Sequence, residues 1–226
     1  MDTDYSPHKP PDATTEFPGR QMVEVIQPGQ LAQAAIMSVH SELAISDVLP
    51  GLQLHEPTAL LLDINNLYRR ADANGFRIDY LRLKEIFEQR CDLRYTAAFS
   101  AVDRNDPEAN DWAKYMDSIG YDLINRDLLQ YTGADGRRIT KGNMDIEMTI
   151  SAMDLSPAFT HVILGTCDGD FVPLVHRIQR DHVKRVSVLG ISGENWNGMS
   201  RSLAKSADQF YDLYKMRDQI HYRGGR

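Results

Sequence analysis

From residue 58 onwards, short apolar runs alternate with segments whose apolar residues recur at helical spacing. The apolar runs predict strands, and the segments between them predict helices. Predicted strands are residues 59–64, 94–102, 121–129, 161–166 and 183–191; predicted helices are residues 80–89, 107–120, 143–154, 171–180 and about 198–206, followed by a short apolar stretch at 209–214. This alternation indicates an α/β domain whose sheet is mostly parallel and covered on both faces.

Two of the apolar runs have no polar face: residues 59–64 (ALLLDI) and residues 161–166 (HVILGT). A strand covered on both sides of a sheet has this continuous apolar character. We therefore predict that these two runs are neighbouring central strands of one domain over residues 58–214.

The residues that flank this domain differ from it in composition. Residues 1–20 are polar and proline-rich, which predicts a disordered tail. Residues 21–57 form an N-terminal extension, in which Pro28 to His40 contains good helix formers and predicts a helix. Two interpretations of this helix stay open: it packs on the main domain, or it contacts a protein partner or a second copy in a homo-oligomer. Residues 215–226 are mildly basic and predict a loose C-terminal tail.

Composition and charge exclude some classes of protein without selecting one. No run approaches the roughly 20 apolar residues that span a bilayer, so no membrane contact is expected. Two cysteines make neither a disulfide framework nor a zinc pattern, which favours a cytoplasmic location. The formal charge is −7; residues 1–56 hold eight acids and two bases (−6), which leaves 24 acids and 23 bases (−1) for residues 57–226. The charge of the domain therefore neither supports nor excludes a nucleic-acid partner.

Acidic residues stand where predicted strands end and where one helix begins. Asp63 lies near the end of the first strand, and Asp168 and Asp170 follow the strand at 161–166. Asp145 opens the helix after a Gly/Arg loop. Because the carboxyl ends of parallel strands meet at one rim, we expect these four carboxylates to converge.

Grouped carboxylates repel unless a cation neutralises them, and their oxygens suit Mg²⁺ or Mn²⁺. Such an ion activates water for attack on a phosphodiester.

Each of these acids also has an ordinary structural explanation. Asp63 can cap the following helix, and Asp168 with Asp170 can form a turn and an N-cap. Asp145 can be a first-turn acid favoured by the helix dipole. Their joint placement favours the metal site. Other titratable residues are interpreted as structural or solvated: Glu147 and Asp154 as helix charges, and His161, His176 and His182 because they lack zinc spacing.

Three segments resemble, in order and approximate spacing, the signature segments of NYN domains. They are LLLDINNLY (60–68), KGNMDIEM (141–148) and VILGTCDGDFVPLV (162–175). NYN domains are PIN-like ribonucleases, a group that includes LabA-like (DUF88) proteins. The resemblance covers about residues 58–214. It implies a PIN-like three-layer α/β/α sandwich, a Mg²⁺ or Mn²⁺ site and hydrolysis of RNA.

The resemblance also implies a role for individual residues. The four aspartates match the catalytic and metal-binding positions of the family. The adjacent asparagine of the family matches Asn66 or Asn65, and Thr166 stands where a serine is usual. Lys141 matches a lysine of the family.

Two positions depart from the family pattern. Cys167 replaces a glycine, so the turn either tolerates a side chain or is distorted. Ser151 stands where the family often has a further aspartate, and the metal would bind more weakly if that carboxylate helps to hold it.

Basic residues near the predicted rim are candidate contacts for RNA. Lys141, Arg69 and Arg70 are the RNA-binding candidates, and Lys141 ranks first because it is close to the acids in sequence. Contacts to phosphate position a nucleic acid without reading its sequence. Arg137 and Arg138 are interpreted as solvated loop charges.

Two other functions compete with RNA hydrolysis. One is a catalytically degenerate PIN-like domain that binds RNA or a protein partner; Ser151 and Cys167 favour this alternative, whereas the four carboxylates favour activity. The other is a haloacid-dehalogenase phosphatase, which LLLDINN and CDGDF superficially resemble. That family needs an acidic aspartate two residues after its nucleophile, and Asn65 at this position cannot act as the general acid. Metal-dependent hydrolysis of RNA is therefore the predicted function.

Overall fold

The computed structural model describes residues 49–102, 107–127, 129–132, 138–141, 143–182 and 184–224. The predicted tail at 1–20 and the predicted helix from Pro28 to His40 lie outside the described residues, and both stay predictions.

Six strands form a parallel central sheet. They are β1 (Pro57–Asp63), β2 (Asp92–Val102), β3 (Asp122–Asp127), β6 (His161–Gly165), β7 (Arg185–Gly190) and β8 (Gln209–Asp212), in the order β3-β2-β1-β6-β7-β8. β1 and β6 pair at the centre, with Leu61 opposite Leu164, and both strands are buried. The prediction of two neighbouring central strands is confirmed.

Helices flank the sheet, as the α/β prediction requires. They are α1 (Ile64–Ala73), α2 (Tyr80–Glu88), α3 (Pro107–Ser118), α4 (Asp145–Leu155), α5 (Val172–His182), α6 (Arg201–Ser206), α7 (Arg217–Ile220) and a 3₁₀ turn at Gly169–Phe171. The predicted fold class, a PIN-like α/β sandwich, is confirmed. Among the described helices, none combines the length and the apolar character that crossing a membrane requires.

The structure adds two features that the apolar pattern does not indicate. α1 buries just Ile64, Leu67 and Ala71, so its apolar signal is weak. The predicted strand 121–129 is divided: β3 ends at Asp127, and β4 (Leu129–Thr132) pairs antiparallel with β5 (Arg138–Lys141). Most of the predicted Gly/Arg loop, residues 133–137, lies outside the described residues.

The prediction of a loose C-terminal tail is wrong for its first half. Met216 and Ile220 are fully buried and stand four residues apart, so α7 presents one apolar side to the core. His221 then forms an antiparallel bridge with Ile78. The segment is mainly polar in composition, so its two buried apolar residues did not indicate an ordered helix.

A glycine allows the two central strands to approach closely. A Cβ at Gly165 would lie 3.2 Å from the carbonyl oxygen of Leu61 and would collide with the side chain of Leu62. Both leucines are fully buried, so any shift would displace their packed neighbours. The absence of a side chain at Gly165 therefore fixes β6, and the acidic turn that follows it, against β1.

His161 is buried at the start of β6, as its structural interpretation requires. Its Nε2 lies 2.7 Å from Ser187 Oγ, and its Nδ1 lies 3.1 Å from Arg185 Nη2. Glu56 forms an ion pair with Arg185 and lies 3.7 Å from Nδ1. Burial and the Arg185 guanidinium lower the pKa of His161 to about 3, so the ring stays neutral.

The pKa of His161 predicts a loss of stability in mild acid. Below its ordinary pKa of 6.5, the unfolded chain takes up a proton that the folded chain excludes. Stability contributed by the neutral ring is complete above pH 6.5 and falls as the pH drops towards 3, by about 2 kcal/mol at pH 5. Urea denaturation at pH 7 and pH 5 measures this loss as the difference between the parent and His161→Gln, because all other titrating groups are common to both proteins; the parent should lose about 2 kcal/mol more than the variant. His176→Gln, an exposed histidine on α5, should behave like the parent; equal losses in all three proteins would contradict the assignment.

Candidate metal centre

Three carboxylates meet at the carboxyl-terminal rim of the sheet. Asp168 and Asp170 follow β6, and Asp145 begins α4. One carboxylate oxygen from each lies within 4.8 Å of the other two. Asp145 and Asp168 are half-buried, whereas Asp170 is exposed. The structure therefore brings together three of the four acids that the sequence singled out.

The turn that carries Asp168 and Asp170 is held by its own hydrogen bonds. The Asp170 N–H donates to Asp168 Oδ1 at 3.0 Å, so Asp168 caps the 3₁₀ turn. The Phe171 side chain that follows is buried. The capping interpretation of Asp168 is thus correct, and it leaves the second carboxylate oxygen available to a ligand.

Cys167 occupies this turn without distorting it. Its Sγ accepts a hydrogen bond from the Ile191 N–H at 3.3 Å, and its own N–H donates to Asn66 Oδ1 at 3.0 Å. Cys167 does not have a positive φ, a conformation that Trp196 alone adopts among the described non-glycine residues. Of the two outcomes left open by the sequence, the turn tolerates a side chain.

Asp145 is positioned by a residue that the sequence analysis overlooked. Asn143 Nδ2 donates to Asp145 Oδ2 at 2.7 Å, and Asn143 Oδ1 accepts from the Asp145 N–H at 2.7 Å. Burial raises the pKa of Asp145, the bond from Asn143 opposes this, and the charges of Asp168 and Asp170 add to the increase. The signal was present, because an asparagine two residues before a helix start is typical of an Asx turn.

Asp63 faces the same site but is engaged in a different way. Its Oδ1 accepts from the Asn66 N–H at 3.1 Å, which caps α1, and its Oδ2 accepts from the Thr166 hydroxyl at 3.4 Å. Burial raises the pKa of Asp63 to about 6; the Asn66 N–H opposes this increase, and Asp145 adds to it. Asp63 lines a pocket of about 180 Å³ together with Asp145 and Asp168, yet it is not one of the three grouped carboxylates.

The predicted supporting residues tie α1 to two strand ends. Asn65 binds the backbone of Ala101 at the end of β2, accepting from its N–H at 2.7 Å and donating to its carbonyl at 3.2 Å. Asn66 instead contacts the turn after β6, through the Cys167 N–H. Thr166 accepts from the Asp168 N–H at 3.3 Å while donating to Asp63. Asn66 and Thr166 therefore connect Asp63 to the acidic turn.

The predicted RNA-binding residues lie in three places. Arg69 lines the pocket, and its Nε donates to the Asn65 carbonyl at 3.1 Å. Arg70 points elsewhere: its Cδ lies 3.8 Å from where a Cβ of Gly198 would stand. Lys141 pairs through its backbone with Leu129 in the hairpin, and its contact with RNA stays a prediction.

Glu147 is not the solvated charge that the sequence suggested. Its Oε1 lies 3.0 Å from Arg126 Nη1, an ion pair that links α4 to β3. Its Oε2 is buried with no hydrogen-bond partner in the described part of the chain. The ion pair and the burial of one carboxylate oxygen leave Glu147 half-buried. Asp154, near the other end of α4, is exposed as predicted.

Comparisons with known proteins show the family of this chain. The chain belongs to the NYN domain family, whose model matches residues 57–214. It is 25% identical over 169 residues to the low amplitude and bright protein LabA of Synechococcus elongatus. The aligned region covers 72% of this chain and 86% of LabA. It is also similar to the crystal structure of a protein of unknown function, VPA0982, from Vibrio parahaemolyticus, with a TM-score of 0.64, 25% identity and coverage of 77% of this chain and 99% of that one.

Membership of the family defines a general activity. NYN domains are generally PIN-like nucleases, the nucleases of the family act on RNA, and PIN-like nucleases generally use divalent metal ions. A nuclease-type function is therefore the general expectation for this chain.

Proposed function

We propose that this chain is a metal-dependent ribonuclease that hydrolyses RNA phosphodiester bonds, with Asp145, Asp168 and Asp170 as the ligands of one Mg²⁺ or Mn²⁺. The observation that carries the proposal is the convergence of these three carboxylates within 4.8 Å at the rim of an NYN domain. Acids at this rim come from two separate segments of the chain. The cap at Asp168 and the first-turn positions of Asp145 and Asp170 account for each acid alone but not for their meeting.

The residues present suit a hard divalent cation. All three grouped side chains offer oxygen, the donor that Mg²⁺ and Mn²⁺ prefer. Arg69 is the one basic residue among those that line the pocket, against the three acids Asp63, Asp145 and Asp168. Asp170 is exposed, which leaves room for water and for a phosphate oxygen. The donor set and the surplus of negative charge both fit the ion.

The chain's own groups prepare the site for hydrolysis. Asn143 holds the Asp145 carboxylate, and the bond from the Asp170 N–H holds Asp168, so the ligands need little rearrangement. A bound Mg²⁺ or Mn²⁺ would lower the pKa of a water molecule and stabilise charge that develops on the phosphodiester. Asp63 reaches the same pocket from the end of β1, where its carboxylate can accept a hydrogen bond from water.

Incubation of the purified chain with labelled single-stranded and structured RNA tests the proposal. Cleavage is expected with Mn²⁺ and not with EDTA. Cleavage that continues in EDTA would contradict a metal-dependent mechanism.

Binding of the ion itself gives a second prediction. Mn²⁺ at a hundredfold excess over its dissociation constant should stabilise the fold by about 2.7 kcal/mol, since it binds the native state alone. Asp145→Asn should lose most of this stabilisation because one ligand is gone. Asp154→Asn makes the same chemical change at an exposed position of α4 and should retain it. Urea denaturation with Mn²⁺ or EDTA measures the difference, and equal stabilisation of both variants would remove Asp145 from the site.

A degenerate domain that binds RNA or a protein without cutting is the second candidate. The observation in its favour is the separation of Asp63 from the three grouped acids, together with Ser151 in place of a further aspartate. This alternative predicts no RNA cleavage with Mn²⁺ and little stabilisation of the parent protein by the ion.

A further inference from the structure

A second surface, separate from the acidic pocket, combines aromatic and basic side chains. It is a groove of about 400 Å³, here called the Trp196 groove, lined by Trp196, Arg201, Ala204, Lys205 and Phe210. Two of these residues are aromatic, two are basic and none is acidic. The side chains that line the groove therefore carry positive charge, whereas the metal centre carries negative charge.

The aromatic part of the groove is a fixed platform. The rings of Trp196 and Phe210 have centroids 5.4 Å apart and planes inclined by 41°. Phe210 is supported from behind, because a Cβ at Gly190 would lie 3.2 Å from its ring. Trp196 keeps 41% of its surface exposed and has a φ of 56°, in the left-handed region that side chains rarely adopt. Strained residues of this kind concentrate at functional sites.

The basic part of the groove carries two cations on one side of a helix. Arg201 and Lys205 stand four residues apart on α6, so their side chains are neighbours and repel each other. Over the residues that the structure describes, neither forms an ion pair. An anion held between them would relieve the repulsion. The groove thus complements a phosphate.

The groove is connected to the metal centre by direct contacts. The Ser200 N–H donates to the Cys167 carbonyl at 3.1 Å, and a Cβ at Gly169 would lie 2.7 Å from Ser200 Oγ. Gly169 is the residue between the two aspartates of the acidic turn. Arg201, the next residue after Ser200, is the first basic residue of the groove. The segment at which the groove begins therefore packs on the acidic turn.

We propose that the Trp196 groove binds single-stranded RNA, with a base stacked on Trp196 and phosphates at Arg201 and Lys205. The proposal rests on the proposed function in taking RNA as the ligand, and it adds a substrate-binding site outside the metal centre. An aromatic platform beside a basic groove is the usual means of holding single strands, since every base has a face that can stack. Bases in a duplex are already stacked and paired, so the groove favours single strands over duplex.

Stacking on Trp196 has a direct spectroscopic readout. The chain has two tryptophans, so Trp112→Phe leaves Trp196 as the single source of tryptophan emission. A short single-stranded oligoribonucleotide of mixed sequence, titrated in EDTA, should quench this emission in a saturable way. The same sequence as a duplex should quench it much less. Saturable binding measured by anisotropy without any change in Trp196 emission would overturn the stacking assignment.

Dissociation constants for the same single strand, measured by anisotropy in EDTA, test the two contacts separately. Trp196→Ala should weaken binding by roughly 5- to 150-fold, the usual loss for one stacked base, and Trp196→Phe should restore part of it.

Arg201→Gln with Lys205→Gln should reduce the slope of log affinity against log salt by about 1.4, since two phosphate contacts are lost. Arg82→Gln with Lys114→Gln removes the same charge from α2 and α3 and should leave the slope unchanged; equal slopes for both double variants would overturn the phosphate contacts.

Failure of this inference and failure of the proposed function give different results. If the parent cuts RNA but its binding in EDTA is insensitive to every change in the groove, the groove proposal is wrong and the ribonuclease stands. If the parent binds single strands through the groove but never cuts them, the groove proposal stands and the degenerate domain is favoured. The Arg201/Lys205 variant and the Trp112→Phe titration leave residue 196 unchanged, so neither result depends on refolding its strained backbone.

Discussion

Asp168→Asn is expected to cut single-stranded RNA at least a hundredfold more slowly than the parent at saturating Mn²⁺. Asparagine keeps the size of the side chain, and its carbonyl oxygen can still accept the bond from the Asp170 N–H that caps the turn. The negative charge is lost, so the ion is held less tightly and in poorer geometry. A catalytic metal ion lowers the activation barrier by several kcal/mol, and each 1.4 kcal/mol or so is a factor of ten in rate.

The comparison must separate loss of chemistry from loss of fold and from contaminating nuclease. Without metal, Asp168→Asn should unfold at the same or a higher urea concentration than the parent, because one member of a group of like charges is neutral. Asp154→Asn, prepared in parallel from the exposed part of α4, should cut as fast as the parent. An Asp168→Asn protein that cuts at the parental rate would show that the site is assigned wrongly or that another nuclease is present.

The fold followed from the sequence because its strongest signals come from complete burial. Residues 59–64 and 161–166 are apolar without interruption, and β1 and β6 are the two central strands that such runs require. Two elements were not predicted. α1 buries three of its ten residues, and the β4–β5 hairpin is a two-stranded sheet outside the main one. The buried apolar residues of α1 do recur at helical spacing, but they are three in number, and the first of them, Ile64, also ends the apolar run of the preceding strand.

The sequence predicted at which edge of the sheet the acids lie, but not the position of each carboxylate. Strand ends locate Asp63 and Asp168 on one edge of the sheet, but the local hydrogen bonds decide where each carboxylate lies. Asp63 is held by Asn66 and Thr166, which keeps it outside the group formed by the other three acids. Trp196 left no signal because it stands alone in a polar loop, where nothing in the spacing indicates an exposed ring. Side-chain direction in loops depends on contacts between distant segments, which a pattern along the chain does not contain.

Capping and a role in the metal site do not exclude each other at Asp168. One carboxylate oxygen accepts the Asp170 N–H, and this bond fixes the direction in which the second oxygen lies. The cap therefore orients a ligand as well as beginning the 3₁₀ turn. Asn143 also has two roles, because its side chain accepts a hydrogen bond from the Asp145 N–H and donates one to the Asp145 carboxylate. At both residues the local hydrogen bond and the role proposed in the metal site belong to a single arrangement.

Phe171→Ala is expected to lower the free energy of unfolding by about 3–5 kcal/mol, the usual loss for a buried phenylalanine. Phe171 is 2% exposed and follows the acidic turn directly. Its N–H lies 3.4 Å from the Asp168 carbonyl, and its ring is buried in the core. Phe171 therefore anchors to the core the turn that carries Asp168 and Asp170. Urea denaturation in EDTA measures the loss of stability. The cavity should also free the turn, so the affinity for Mn²⁺ of the molecules that remain folded should fall.

Phe159→Ala provides the matched control for the second effect. Phe159 is also buried, but it precedes β6 at the opposite end of the strand, where its ring lies 6.4 Å from that of Tyr95. Both variants should lose stability, because both leave a cavity in the core. Mn²⁺ titrations at low temperature, with native circular dichroism as the criterion of folding, should show weaker binding for Phe171→Ala alone. Equal affinities in the two variants would mean that Phe171 supports the fold in general and does not position Asp168 and Asp170.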